Sequence, residues 1–213
     1  MKIGILGSGV VGQQLGLGFV KSGHEVKIGT RDSGKLAEWL KNAGSKASVG
    51  TAKEAAEFGE IIVLATKWDG AEAVISAAGK ENFKNKIVID VTNPLKFEAA
   101  GQAPTLALAF PESAGKQIQT WLPDAKVVKC FNIINAYYMA NASQFDHPDM
   151  FIAGNDADSK KVVSDIAKNW GWDVHDIGNI NQSYILESFA MLWIVYGFTN
   201  NHWTHIFKMI NKK

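Results

Sequence analysis

Lys2-Ile3-Gly4-Ile5-Leu6-Gly7-Ser8-Gly9-Val10-Val11-Gly12 opens the chain and decides its fold. Ile3 to Leu6 is a short apolar run that reads as a strand. Val10 to Lys21 then repeats apolar residues at helical spacing, and Gly23 closes the helix. Between them stand three glycines, each with a different physical task. Gly7 permits a tight turn, Gly9 lets a ligand approach the backbone, and Gly12 lets the helix pack close to the strand. The helix start adds free N–H groups and a positive dipole end, which together suit a pyrophosphate. A glycine-rich turn without a ligand is the plainer reading, but three glycines at these offsets have no packing reason to coincide. Gly7, Ser8, Gly9, Val10, Val11 and Gly12 are therefore candidate dinucleotide-binding residues.

Outward from this turn, strands and helices alternate about every twenty residues. Strands are expected at Glu25 to Gly29, Lys46 to Val49, Ile61 to Ala65, Lys86 to Val91 and Lys126 to Phe131. Ile61 to Ala65 is apolar throughout, as suits a strand buried on both faces. Helices are expected from Asp32 or Ser33 to Lys41, and at Thr51 to Phe58, Trp68 to Ala78 and Ser113 to Leu122. Residues 94–112 hold three prolines and read as a loop. Met150 to Ala153 and Trp172 to His175 are further short strands flanking an amphipathic helix, Asp158 to Trp170. From Gln182 to Lys212 the chain reads as largely helical and aromatic-rich. The pattern predicts an α/β fold, a Rossmann-like doubly wound and mostly parallel sheet with a helical C-terminal appendage. The one soft boundary, near Gly178, divides a nucleotide-binding domain with added C-terminal strands (1–178) from a helical segment (179–213) that packs on it or on a dimer partner.

The remaining numbers narrow the class. The chain has 213 residues, is 46% hydrophobic and carries a net charge of +1. No basic run exceeds a pair, so a nucleic-acid or anionic-membrane partner is not expected. The longest later apolar stretch, Phe189 to Phe198, falls short of the ~20 residues of a membrane helix. The single cysteine, Cys130, excludes an intramolecular disulfide, and no Cys/His spacing suggests zinc. A soluble, cytoplasmic protein is expected.

The end of the second strand reads the ribose. An acidic residue there would accept hydrogen bonds from a 2′-hydroxyl and repel a 2′-phosphate. This chain has Gly29-Thr30-Arg31 instead. Thr30 can donate a hydrogen bond, Arg31 offers a fork of donors, and Lys35 adds a second positive charge. Asp32 runs against this pattern and is assigned, with Ser33, to the helix cap. The pattern favours NADP(H), against the alternative of a solvated surface arginine and lysine.

These stretches, with Gly23-His24-Glu25-Val26, Asp90-Val91-Thr92-Asn93-Pro94-Leu95, Val128-Lys129-Cys130-Phe131-Asn132, Asp158-Ser159-Lys160-Lys161-Val162-Val163 and Leu186-Glu187-Ser188, resemble the NADPH-dependent coenzyme F420 reductases across almost the whole chain. The resemblance implies hydride transfer between NADP(H) and an 8-hydroxy-5-deazaflavin, and a homodimer. The chain departs from the family pattern where deazaflavin reducers tend to carry histidine and threonine and this chain has Asn132 and Ile133, and where Asn135 replaces a proline. A flavin, a deazaflavin or a small molecule thus remains in play as acceptor.

Ligands in such sheets bind beyond the carboxyl ends of the strands. That places Ala65, Thr66 and Trp68, then Asn93 and Pro94, then Asn132 to Ala136, around the cofactor. Thr66 and Asn93 are candidates to hydrogen-bond ribose or carboxamide. The resemblance puts Ile134 and Ala136 on the nicotinamide face, and Asn132 or Asn135 is a candidate to orient the second ring, unless these asparagines only satisfy loop backbone. Trp68 reads more as helix packing than as stacking on substrate. Hydride transfer is mainly positioning, so no nucleophile, catalytic residue or metal is expected. His202 and His205 share a metal-like spacing but lack partners. Trp193, Tyr196, Phe198 and Trp203 read as core or dimer packing before a substrate wall. The alternatives are a pyrroline-5-carboxylate-reductase-like dehydrogenase, which usually carries a longer helical domain than these last 30 or so residues provide, and a non-catalytic NADP(H) sensor.

Overall fold

The computed structural model describes residues 1–99, 101–210 and 212. Ala100, in the expected loop, and Asn211, in the expected last helix, lie outside the described residues. In chain order the elements are β1 (Lys2–Leu6), α1 (Val10–Lys21), β2 (Glu25–Gly29), α2 (Ala37–Ala43), β3 (Ala47–Gly50), α3 (Ala52–Phe58), β4 (Ile61–Leu64), α4 (Ala71–Ala78) and β5 (Ile87–Asp90). They continue with β6 (Leu95–Lys96), β7 (Thr105–Leu106), α5 (Ala114–Trp121), β8 (Lys126–Lys129), α6 (Ala136–Met139), β9 (Asp149–Gly154), α7 (Ala157–Asn169), β10 (Asp173–Asp176) and α8 (Ser183–Asn200).

The main sheet has eight strands in the order β10-β9-β8-β5-β4-β1-β2-β3. The six from β3 to β8 run parallel. β9 joins β8 antiparallel and β10 lies parallel to β9, so the last two strands run against the rest. Strand order reverses around β1, and the crevice between the ends of β1 and β4 is the switch point at which such sheets bind ligands.

Side-chain alternation builds a core on each face. Ile3, Ile5, Val26, Ile28 and Val63 meet Leu15 and Phe19 of α1, Trp39 of α2 and Val163 of α7. Leu6, Ile62, Leu64 and Val127 meet Ala55 of α3, Ile75 of α4 and Ile118 of α5 on the other. Helix starts follow capping chemistry. Thr51 and Glu54 form a reciprocal capping box on α3, and Asp156 caps α7 through Ser159 N.

Two expectations need correction. Residues 94–112 are not all loop, because β6 and β7 pair as a short antiparallel ladder. The C-terminal segment is helical only to Asn200. Trp203, Ile206, Phe207 and Ile210 keep helical spacing in sequence, but Asn201 takes a left-handed conformation (φ +47°) and ends the helix. The chain then folds back along α8, where Phe207 stacks on Phe189 at 4.0 Å and Trp203 packs on Trp193 at 5.6 Å. Tertiary packing of the aromatic residues outweighs helix propensity there.

Candidate functional site

The glycine turn leaves β1 at the switch point. Gly7 has φ +130°, and a Cβ on it would lie 2.3 Å from Ala65 O, so the turn sits against the end of β4. A Cβ on Gly12 would come within 2.0 Å of Gly7 O. Gly9 differs: a Cβ there would meet nothing within 4 Å. Its glycine has no packing reason, and the open space lies at the start of α1, whose first turn carries no acidic residue. That is an anion-compatible edge.

Beside the turn, Thr30 Oγ1 lies 3.0 Å from Ser8 Oγ, tying the end of β2 to the glycine loop. Asp32 is the cap: its Oδ1 accepts from Gly34 N at 3.1 Å. Its other oxygen lies 3.7 Å from Lys35 Nζ, and both side chains are exposed. Arg31 is exposed and forms no ion pair among the described residues, so its guanidinium is the uncommitted cation of this edge.

A cavity of about 310 Å3 continues from the turn. Val11 lines it from α1, Val91 and Asn93 from the end of β5, and Asn132, Ile134 and Ala136 from the end of β8. Phe131 turns the chain into this loop with φ +61°, a costly conformation for a bulky residue. Its ring is fully buried against Trp170 at 5.3 Å, which holds the turn. Asn132 follows and is buried. Its Nδ2 donates to Asn93 Oδ1 at 2.9 Å and to Leu186 O at 3.0 Å, and Asn93 Nδ2 donates to Asn132 O at 2.8 Å. Asn132 Oδ1 has no partner among the described residues, nor does the buried Thr66 Oγ1. A buried acceptor without a donor costs about 1–3 kcal/mol, and such an orphan beside a cavity is suited to a ligand donor.

The structure thus gathers most of the expected residues at one edge. Asn135 lines the cavity too, but both ends of its amide are committed to backbone: its Oδ1 accepts from Tyr137 N and its Nδ2 donates to Trp203 O. Trp68 stacks on Trp121 of α5 at 5.4 Å, within the opposite core layer, and does not line the cavity. Trp193 and Trp203, read from sequence chiefly as packing residues, do line it. No group of three or more His, Cys, Asp or Glu placed to hold a metal occurs among the described residues. Sequence reasoning also missed a buried charge cluster beneath the cavity. Lys129 Nζ lies 2.9 Å from Asp90 Oδ2 and 3.0 Å from Glu187 Oε1, all three essentially inaccessible to solvent. Burial alone would lower the lysine pKa, but the two carboxylates more than offset it and raise it above its ordinary value. Part of the signal was present in Asp90, the one charge of the otherwise apolar β5; Lys129 shares β8 with Lys126, and its burial was not readable. A second concavity, about 380 Å3 around Met1, Asn85 and Asp158, lies at the opposite edge of the sheet, away from the glycine turn.

Fold, turn and cavity define a Rossmann-type protein of the dinucleotide-binding kind. The profile of the family described as NADP oxidoreductase coenzyme F420-dependent matches residues 2–94. An F420-dependent NADP reductase of Methanocaldococcus jannaschii is 34% identical over 210 residues, covering 91% of each chain. A crystal structure from Arthrobacter sp. FB24, provisionally described as an F420-dependent NADP reductase, superposes with a TM-score of 0.91 at 36% identity, covering 99% of this chain and 100% of that one. Metalloreductase STEAP3 of Rattus norvegicus is 27% identical over 89% of this chain but only 36% of its own length. The chain belongs to the coenzyme F420-dependent NADP oxidoreductase family. No helix among the described residues is long and apolar enough to cross a membrane.

Proposed function

We propose that this protein catalyses hydride transfer between NADP(H) and a second ring, a deazaflavin of the F420 type, met in the cavity beside Asn132. The observation that carries the reading is continuity: Val11 belongs both to the glycine turn and to the cavity wall. A dinucleotide with its phosphates over Gly9 therefore delivers its far ring into the cavity. NADP(H), when bound, supplies or accepts the hydride.

The protein's part is placement. Gly9 leaves room for the pyrophosphate, and the α1 amides face it. Arg31 holds the 2′-phosphate, with Thr30 and Lys35 as lesser contacts. Asn132 Oδ1, Thr66 Oγ1 and Ser183 Oγ are the unpartnered buried side-chain atoms among the described residues; of these Asn132 Oδ1 belongs to a cavity-lining residue and offers acceptance to an N–H of the second ring, and Thr66 Oγ1 is left for the ribose or carboxamide of the nucleotide. Ile134 and Ala136 give an apolar floor, and Trp193 and Trp203 screen the cavity from water, where electrostatic placement is stronger. In the direction of NADPH oxidation, bound nucleotide would supply a hydrogen with its electron pair to a ring carbon of the acceptor held beside Asn132, and one proton would come from solvent. Residues 1–178 form the nucleotide-binding unit, α8 and the returning tail complete the cavity wall through Trp193, Ile194 and Trp203, and a cytoplasmic homodimer is its proposed working state.

The test offers purified protein and NADPH to coenzyme F420, FMN, FAD and ferric chelate in parallel, following nicotinamide absorbance. Turnover with the deazaflavin above the others is expected. Tight NADPH binding with no turnover on any acceptor would instead identify a sensor.

A further inference from the structure

We infer that the buried Asp90–Lys129–Glu187 cluster is a positioning device for the acceptor side of the cavity; the inference rests on the hydride-transfer reading above. Each member lies within three residues of one member of the amide network, of which Asn93 and Asn132 line the cavity. Asp90 ends β5, and Asn93 follows it by three residues. Lys129 ends β8, and Asn132 follows it by three. Glu187 lies on α8 directly after Leu186, whose carbonyl accepts from Asn132 Nδ2 at 3.0 Å. The ionic layer and the amide layer therefore join the same three elements.

The ionic layer is fully connected. Asp90 and Lys129 are register partners in the β5–β8 ladder. Lys129 Nζ also donates to Thr92 O, and Asp90 Oδ1 accepts from Thr92 N at 2.9 Å and Thr92 Oγ1 at 2.7 Å, fixing the peptide before Asn93. Glu187 accepts from Ala114 N at 2.9 Å and Gly115 N at 3.0 Å, so the start of α5 neutralises the second carboxylate. A Cβ on Gly115 would lie 2.3 Å from Ser183 Oγ, which shows how closely α8 approaches α5 there. Glu187 thus pins α8 in depth and rotation, and Ile194, two turns further on, lines the cavity.

Stability alone gives little reason for such a cluster, since buried ion pairs are often no better than apolar residues of similar volume. Geometry gives one. Bidentate ionic contacts have one register, whereas an apolar contact tolerates sliding. A slip of α8 against β8 would break the Asn132–Leu186 bond and turn the unpartnered Asn132 Oδ1 away from the cavity. Asp90, Lys129 and Glu187 touch no ligand in this arrangement; they act through Asn93 and Asn132. The glycine turn and Arg31, proposed to hold the phosphates, share none of these contacts, so most of the nucleotide affinity is expected to survive their loss.

A double-mutant cycle tests this on the full-length protein. Wild type, Glu187→Gln, Asn132→Ala and the double variant are compared with NADPH and coenzyme F420, reading the NADPH Kd, and kcat and KM for the acceptor. Glu187→Gln is expected to lower acceptor kcat/KM at least tenfold with the NADPH Kd within about twofold, and the double variant to lose no more than the larger single variant, because both act through one network. If Glu187→Gln fails to fold, Lys129→Arg, which keeps the charge, takes its place with the same signature at smaller amplitude. Losses that multiply, unchanged acceptor kinetics in a folded variant, or an NADPH Kd that weakens in parallel would each overturn the inference. Wild type that turns over no F420 overturns the hydride-transfer reading and this inference with it, whereas wild type that turns over normally beside additive variants overturns the inference alone.

Discussion

The two ends of the candidate site are built by different means. At the phosphate end the residues are contiguous, Gly7 to Gly12, and the parts that matter are backbone: amides, a left-handed turn and missing Cβ atoms. At the acceptor end, Asn93, Asn132 and Leu186 come from three distant segments, and the parts that matter are side chains held over a buried ionic layer. The first is specified locally and resists change by steric necessity. The second is specified by tertiary register, so small changes there redirect chemistry without disturbing the fold.

Substitutions can break that contrast, and the largest effect is expected at the turn. Gly12→Ala puts a methyl 2.0 Å from Gly7 O; α1 must move off β1, and a loss of about 3 kcal/mol in chemical denaturation is expected. Gly9→Ala meets no atom within 4 Å. It should change stability by less than about 0.5 kcal/mol while weakening NADPH binding in calorimetry. Equal stability effects at the two glycines would refute the division of labour within the turn.

Arg31→Ala comes next. A charge-assisted contact of about 1.5–3 kcal/mol corresponds to roughly 10- to 150-fold in NADPH Kd, with NADH unaffected. Parallel weakening of both nucleotides, or of neither, would remove the 2′-phosphate assignment. Asn132→Ala should leave NADPH affinity within about twofold and cost acceptor kcat/KM roughly tenfold, about 1.4 kcal/mol. If nucleotide affinity falls as far as acceptor efficiency, the two ends are not separate. Lys35→Ala is expected to have the smallest effect, at most about fivefold on NADPH, because its ammonium is exposed and shared with Asp32.

The same contrast explains what was legible in the sequence. The strand, turn and helix around Gly7 to Gly12 could be read because a short window contains the whole device, and the alternation that follows gives six strands of parallel sheet. The Asp32 cap was readable for the same reason. The antiparallel entry of β9 was not, since its direction depends on a connection through α6 and the loop after it and not on any residue pattern. The expected helix over the last residues failed because Trp203 and Phe207 serve packing against α8 in an extended tail, while Ile210 is exposed. Asn132 was picked out as a candidate, but its difference from Asn135 lies in which atoms find partners, and that is decided by Leu186 and Trp203, each more than fifty residues away. Trp193 and Trp203 both pack and line the cavity, and composition cannot separate those roles. Lys129 and Glu187 became meaningful only when seen together.

The most direct measurement follows the transferred hydrogen itself. NADPH deuterated at the transferring carbon is incubated with the protein and coenzyme F420, and the reduced deazaflavin is examined by mass spectrometry. A hydrogen delivered to a ring carbon does not wash out, so retention of the deuterium in the product is expected. Reduced deazaflavin carrying only solvent hydrogen, or labelled NADPH left unconsumed while tightly bound, would contradict direct hydride transfer in the cavity beside Asn132.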